Sequence, residues 1–249
     1  MNIFKNLFKK KEALNFQDIP LNVDFHSHLL PGLDDGARGL EESIQLIKTL
    51  NEEYGFEKFL TTPHVMTGVY PNNPETINNA LDRVKKGLKA HDIHVKIEAS
   101  AEYYIDEYLE NKIESDEILP FAGKYVLVET SFMDEPLNLY DIFFKLKLKG
   151  YKPVFAHPER YMYLASDFEK FRDLVDREVL IQINLGSLAG LYSPEAKKIA
   201  EDLIDQGLVH LVGSDIHSMN QINLFDEVTK TKGFRKLRDL DLLNNSLMD

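Results

Sequence analysis

The chain has 249 residues, 43% of them hydrophobic, enough to bury a sizeable core and to form one large domain or two small ones. Lys and Arg number 29 against 41 Asp and Glu, a formal charge of -12, which argues against an extended surface tracking nucleic-acid phosphates but leaves room for a local basic pocket. Cysteine is absent, so disulfides, thiolate metal sites and thiol-nucleophile catalysis are excluded, and any chemistry must run on oxygen and nitrogen ligands.

The opening stretch "MNIFKNLFKKKEAL" places Ile3, Phe4, Leu7 and Phe8 on one helical face, with Lys5, Lys9, Lys10 and Lys11 mostly elsewhere. Such a basic amphipathic segment suits weak contact of residues 3–11 with an anionic membrane surface or a partner, or simple docking as a frayed extension. No apolar run approaches the roughly 20 residues of a membrane-spanning helix, and the N-terminus lacks a signal peptide's apolar region, so the chain reads as cytoplasmic. No repeat, low-complexity tract or Pro/Gly/Ser-rich linker follows. Residues 1–20 therefore read as an extension and 21–249 as a single domain.

Seven apolar or β-branched runs come next in order: "LNVDFHSH", "FEKFLTTPH", "HVKIEASAEYY", "KYVLVETS", "YKPVFAHPE", "EVLIQINLGS" and "GLVHLVGSDIH". Between several of them lie helical patterns. Leu40, Ile44 and Ile47 follow the first run; Ile77, Leu81, Val84 and Leu88 follow Asn73 as N-cap and Pro74 as first helical residue; Ser193 and Pro194 open a helix carrying Ile199 and Leu203. Repeated strand–helix units imply an α/β fold with a parallel sheet, open or closed into a barrel.

The chemistry-bearing residues favour the barrel. His26 and His28 end the first run, His64 the second, Glu102 the third, Glu129 the fourth, His157 the fifth, and Asp215 with His217 the seventh. An open sheet concentrates its site at one switch point, whereas a barrel gathers every strand end around one mouth. Strand side chains alternate, so residues 26 and 28 share a face, as do 215 and 217. Asp34 and Asp35 follow Pro31-Gly32 above the first strand; Asp34 reads as a loop-capping carboxylate and Asp35 as a donor. His26, His28, Asp35, His64, Glu102, Glu129, His157, Asp215 and His217 make nine candidate donors, too many for one tetrahedral ion and enough for two or three divalent ions. Asp24 reads as a partner orienting a histidine, and Gln182 and Asn184 as polar barrel lining. His91, His94 and His210 read as ordinary packing or surface histidines. "NNS" at 244–246 matches a glycosylation sequon and carries little weight without a secretion signal.

Taken in order, "DFHSHLLPGLDDGA", "TTPH", "AEYY", "AHPERY" and "GSDIH" resemble the motifs of the polymerase and histidinol phosphatase (PHP) superfamily. More closely, they resemble its bacterial metal-dependent protein-tyrosine phosphatases linked to capsular and extracellular polysaccharide synthesis, over roughly residues 22 to 220. The resemblance implies a distorted (β/α)7 TIM-like barrel with a trinuclear site at its C-terminal mouth. Carried across, it makes His26, His28 and Asp215 ligands of one ion, with Glu102 bridging to a second. Asp35 and His64 serve a third, and Glu129, His157 and His217 fill remaining positions. Arg160 matches the phosphate-gripping arginine and joins Asp215 and His217 as the catalytic group. One departure stands out: the arginine that relatives often carry after the DxH block is missing from "DIHSMNQINLFDE", which shifts phosphate binding onto Arg160, Arg38 or another loop residue.

The implied reaction is in-line attack on phosphotyrosine by a metal-activated water, without a phosphoenzyme. Manganese is the first candidate metal, with iron, zinc or cobalt suited to the same donors. The implied partner is a phosphotyrosine protein, a bacterial tyrosine kinase of polysaccharide synthesis. Tyr70, Tyr103, Tyr104, Tyr161 and Tyr163 are candidates to wall a slot for the substrate ring. The alternatives are another PHP phosphoesterase such as a histidinol-phosphate phosphatase, a metal-dependent amidohydrolase, for which a bridging lysine is lacking, and a non-catalytic metal-binding module.

Overall fold

The computed structural model describes Phe16, Ile19 and residues 21–248. The basic amphipathic segment of residues 3–11 lies outside the described residues. The strands are β1 (Val23–Asp24), β2 (Lys58–Thr61), β3 (His64–Val65), β4 (Lys96–Ala99), β5 (Glu102–Tyr104), β6 (Tyr125–Glu129), β7 (Lys152–Ala156), β8 (Leu180–Asn184) and β9 (Leu211–Gly213). Between and after them run α1 (Leu40–Tyr54), α2 (Pro74–Ala90), α3 (Leu109–Glu114), α4 (Leu139–Leu148), α5 (Met162–Ala165), α6 (Glu169–Asp176), α7 (Leu185–Ala189), α8 (Pro194–Asp205), α9 (Met219–Ile222), α10 (Phe225–Thr229) and α11 (Lys232–Leu237).

Every strand pairing is parallel, in the orders β1-β2-β4 and β3-β5-β6-β7-β8-β9. Among the described residues nine short strands correspond to the seven runs in the sequence, because two runs are interrupted. Thr62-Pro63 separates β2 from β3, where proline has no N–H to continue the ladder, and Ser100-Ala101 separates β4 from β5 at the same level. Past these breaks His64 pairs in register with Glu102. The circle closes between the last strand and the first. Asp215 N–H donates to His26 O at 2.8 Å, His28 N–H donates to Ile216 O at 3.0 Å, and Ser27 bridges Ile216 in parallel. The result is the distorted seven-stranded barrel expected from the sequence.

Alternation along the strands divides the core. Tyr125 and Leu127 of β6 and Val154 and Ala156 of β7 join Val23, Phe25, Leu60 and Leu211 in a buried cluster inside the barrel. Their neighbours Val126, Val128 and Phe155 join the larger cluster beneath the helices. Below the site, Asn244 is fully buried and stitches the seam: its Nδ2 donates to Val23 O at 3.0 Å and to Val212 O at 2.7 Å, while its Oδ1 accepts from Val212 N–H at 2.9 Å. That use of the amide buries Asn244, the acceptor position of the "NNS" sequon.

The helix starts follow their sequence signals. Asn73 Oδ1 accepts from Thr76 N–H at 3.0 Å and Thr76 Oγ1 accepts from Asn73 N–H at 3.0 Å, a reciprocal cap on α2. Ser193 Oγ accepts from Ala196 N–H at 3.0 Å to start α8. Replacing Asn73 by Ala should destabilise the fold by about 1 kcal/mol, read as a lowered Tm with the metal affinity untouched. An unchanged Tm would show that α2 is held by its packing alone.

Candidate metal centre

Six strand ends meet at one mouth, and two of the residues there sit in backbone conformations that side-chain-bearing residues seldom adopt. His157 leaves β7 with φ 34° and Asp215 follows β9 with φ 52°. Both turn the chain out of the strand direction at the point where these side chains meet the other donors. Two glycines make room for the histidine pair just past the first strand. A Cβ on Gly213 would stand 2.5 Å from His26 Cβ, and one on Gly36 would stand 2.2 Å from His28 O.

The imidazoles are presented as lone-pair donors by what holds their far sides. His26 Nδ1 donates to Gln182 Oε1 at 2.9 Å, and the amide orientation is fixed because Gln182 Nε2 donates to Ile183 O and Asn184 Oδ1 at 2.8 and 2.9 Å. His28 Nδ1 donates to Asp34 Oδ2 at 2.7 Å, and His217 Nδ1 to Asp215 O at 2.9 Å. Each therefore turns a bare Nε2 inward, the usual preparation for metal binding. His26 Nε2 and His28 Nε2 then face each other across 3.2 Å, which needs a cation or a shared proton between them.

Glu102 is fully buried at the centre. Its Oε2 lies 3.2 Å from His26 Nε2, 3.5 Å from His28 Nε2 and 3.1 Å from His64 Nδ1, and its Oε1 lies 2.9 Å from His157 Nε2. Asp215 Oδ1 adds contacts of 3.5 and 3.4 Å to His26 and His28, and Glu129 Oε1 lies 2.7 Å from His64 Nδ1. Among the described residues three groups have donor atoms within 4.8 Å of one another: His26, His28 and Glu102; His64, Glu102 and Glu129; and His28, Asp35, His64 and His217. The buried Nδ1 atoms of His64 and His157 have no hydrogen-bond partner, although His64 Nδ1 is within ion-pair distance of both glutamates. A buried His64 Nδ1 aimed at two carboxylates without hydrogen-bonding geometry fits a divalent ion held by oxygen and nitrogen.

The charges follow from the packing. Burial opposes ionisation of Glu102 and Asp215, yet the imidazoles around them, His26 foremost, hold both well below the usual carboxylate range. Burial likewise opposes charge on His64, but Glu102 and Glu129 outweigh it and raise its pKa to about 9. Burial and the Glu102 charge push Glu129 up to about 7. Burial and Arg160 press His157 down to about 4, so it stays neutral.

All nine donors named from the sequence reach this mouth, as does Arg160. A cavity of about 320 Å³ is lined by Asp35, His64, Glu129, Phe132, His157, Arg160, Tyr192, Asp215, His217 and Gln221. Arg160 Nη1 donates to Asp215 Oδ2 at 3.0 Å, and its guanidinium lies over the rings of Tyr192 at 3.9 Å and Phe132 at 4.5 Å. Arg38 is exposed and lines none of this cavity. Near the missing arginine the cavity instead has Gln221, whose Oε1 accepts from His217 N–H at 2.6 Å.

Several second-rank readings change. Asp24 orients no imidazole: it accepts from Ser214 N–H at 2.8 Å and Ser214 Oγ at 2.6 Å, because β1 ends at Asp24 and the backbone bends at His26, breaking the alternation. Asp34 does cap its loop, accepting from Gly36 N–H at 3.0 Å, and it also orients His28. Of the five tyrosines, Tyr70 and Tyr104 line a cleft beside the mouth. Tyr103, Tyr161 and Tyr163 are spent on Leu119 N–H, Thr130 N–H and Thr130 Oγ1 respectively. Gln182, Phe132 and Tyr192 were not singled out as site residues by sequence reasoning.

The family model for capsular polysaccharide synthesis, CpsB/CapC, matches residues 22–224. The chain belongs to the CpsB/CapC family. Among its relatives, the tyrosine-protein phosphatase YwqE of Bacillus subtilis is 33% identical over 202 residues, 81% of this chain and 79% of YwqE. The tyrosine-protein phosphatase CpsB of Streptococcus pneumoniae is 29% identical over 233 residues, 88% of this chain and 94% of CpsB. Among solved structures, one from work on YwqE and CpsB as metal-dependent tyrosine phosphatases superposes with a TM-score of 0.79 at 29% identity, covering 91% of this chain and 95% of its own. The PHP fold is shared more distantly with histidinol phosphate phosphatase from Lactococcus lactis, at a TM-score of 0.55 and 16% identity over 86% of this chain and 98% of that one.

Two outcomes follow for the CpsB/CapC centre. Below pH 9 the ion-free His64 carries a proton and below pH 7 Glu129 does too, so an incoming ion must expel them. Affinity for Mn2+ should therefore rise between pH 6 and 8, with proton release visible as a buffer-dependent heat in calorimetry; a pH-independent affinity contradicts this. Gly213→Ala should displace His26 and weaken metal binding while the far-ultraviolet circular dichroism is kept. Wild-type affinity in that variant would show that the close approach is dispensable.

Proposed function

We propose that this chain is a metal-dependent protein-tyrosine phosphatase acting on a tyrosine kinase of polysaccharide synthesis. The observation that carries the reading is the convergence of nine nitrogen and oxygen donors and one arginine at one barrel mouth, where six of the donors and the arginine line a single cavity. The relatives named as tyrosine-protein phosphatases support it. We take residues 21–249 as the working barrel and 1–20 as an extension. No helix of the described residues is long and apolar enough to cross a membrane, and the reading places the protein in the cytoplasm.

The assigned ligands are His26, His28, Glu102 and Asp215 for one ion, Glu102, Glu129 and His157 for a second, with His64 beside them, and Asp35, His64 and His217 for a third. Divalent ions held there, manganese first among them, supply Lewis acidity that lowers the pKa of a water and neutralises phosphate charge. The protein's own part is placement. Arg160, with one N–H fixed on Asp215, keeps its remaining donors for phosphate oxygens, the paired geometry that a guanidinium offers. Buried carboxylates and imidazoles stay where they are without solvent reorganisation as charge moves onto the phosphate oxygens. A phenolate leaves with a pKa of about 10, so it makes modest demands on a proton donor.

A protein substrate suits the surroundings better than a small phosphate ester. Clefts of about 440 and 340 Å³ continue from the cavity on either side of Phe132, one lined by Met162, Leu191 and Tyr192, the other by Met66, Tyr70, Tyr104 and Met133. Peptide flanking a phosphotyrosine has somewhere to lie.

Metal-stripped protein should release phosphate from a phosphotyrosine peptide only after Mn2+ is added, and should act poorly on phosphoserine peptide and histidinol phosphate. Equal activity on histidinol phosphate would move it to the small-molecule phosphatases. His157→Ala and Asp215→Ala should abolish turnover with the fold intact. Arg160→Ala should chiefly raise KM, by about tenfold or more for a lost charge-assisted contact; an unchanged KM and kcat would remove its anchoring role.

A further inference from the structure

Tyr192 lies in the turn between α7 and α8, outside every motif in the sequence, yet it touches both the arginine and the carboxylate at the cavity. Its hydroxyl is 2.9 Å from Asp215 Oδ2. The same oxygen accepts from Asn184 Nδ2 at 2.6 Å and from Arg160 Nη1 at 3.0 Å. Asn184 Nδ2 is also 3.1 Å from the Tyr192 oxygen, so the hydroxyl accepts from the amide and donates to the carboxylate. Three donors therefore occupy Oδ2. Oδ1 is left as the oxygen facing His26, His28 and His217, at 3.5, 3.4 and 3.6 Å.

The ring of Tyr192 does separate work. Arg160's guanidinium lies 3.9 Å above its centroid, with Phe132 over the guanidinium at 4.5 Å. Phe132 is 40% exposed, so it is the softer of the two faces. A flat cation on an aromatic face keeps its N–H edge in one plane, which here includes Asp215 and the cavity.

The geometry points to Tyr192 as a positioning residue that sets the phosphate-gripping arginine and the metal-facing carboxylate in register. Its hydroxyl joins Asn184 and Arg160 in holding Oδ2 so that Oδ1 of Asp215 faces the histidines, and its ring is the firmer of the two faces that set the plane of Arg160. The inference rests on the phosphatase reading of this site.

Tyr192→Phe keeps the ring and removes the hydroxyl; Tyr192→Leu removes both. In the full chain, three quantities separate the roles: Mn2+ affinity by calorimetry, KM and kcat on a phosphotyrosine peptide at saturating metal, and inhibition by inorganic phosphate. Tyr192→Phe should weaken Mn2+ binding by about tenfold, the usual scale for an outer partner of a metal ligand, with KM and phosphate inhibition within about twofold of wild type. Tyr192→Leu should show the same metal defect and also raise KM and the phosphate inhibition constant by about fivefold, the scale of a lost cation–aromatic contact. Wild-type Mn2+ affinity in Tyr192→Phe overturns the hydroxyl's role. A Tyr192→Leu protein whose KM and phosphate inhibition match those of Tyr192→Phe overturns the ring's. Loss of metal affinity, KM and thermal stability together in both variants would assign Tyr192 to packing and overturn both. If wild-type protein bound Mn2+ and phosphate but hydrolysed no phosphotyrosine, the phosphatase reading would fail while the two binding measurements still decided the role of Tyr192.

Discussion

Glu102 is an anion with no access to water, and the arrangement of the barrel mouth follows from what it takes to keep it charged. An unpaired buried carboxylate would take up a proton, because burial penalises the ionised form. Here four imidazoles from three strand ends, His26, His28, His64 and His157, stand within 3.5 Å of its oxygens. Those rings in turn require partners on their far sides, and Gln182 and Asp34 supply two of them. The polar network thus extends outward from one carboxylate through the strands that carry it. A network of this kind is stable only if nearly complete, and His64 Nδ1, buried without a hydrogen-bond partner between Glu102 and Glu129, is the place in it that suits a bound ion.

The same constraint shapes the sheet. Regular strands would carry His64 and Glu102 past the mouth on continuous ladders. Instead the ladders of the second and third runs break at Thr62-Pro63 and Ser100-Ala101, and the chain resumes with the two residues paired side by side. His157 and Asp215 achieve comparable redirection with positive φ. Four of the nine donors therefore stand just past a break or at a left-handed kink.

Much of this was legible in the amino-acid order because metal ligands are drawn from few residue types and strand ends are recognisable. Seven apolar runs with a His, Asp or Glu at six of their ends could be read without tertiary information, and so could the helix starts at Asn73 and Ser193. Side-chain partnerships were not legible. Gln182 looked like barrel lining, although its amide sets the tautomer of His26. Phe132 and Tyr192 sit in loops, where no period marks an aromatic residue that will fold over an arginine. Tyr103 and Tyr161 looked available beside their motifs but are buried, with hydroxyls committed to backbone N–H groups. Asp24, read as a histidine's partner, is instead taken by Ser214, because the chain leaves β1 there and bends at His26.

Asn244 gives the closed barrel a temporal order. The seam it stitches joins the first strand to the last, and its bond to Val23 spans 221 residues. At about 5 to 20 residues per second, a ribosome takes roughly 10 to 40 s to travel that distance, during which Val23 and its neighbours have no final partner on that side. A contact of such long range also carries a large loop-closure penalty and forms late. The donors just after β1, His26 and His28, are the earliest of the set to emerge, and they wait for Asp215 and the seam residue Asn244 before that carboxylate is held opposite them. Nascent protein in the cell therefore passes through an interval with strand and histidines exposed at an open edge, the stage at which a chaperone or a premature metal ion would find it.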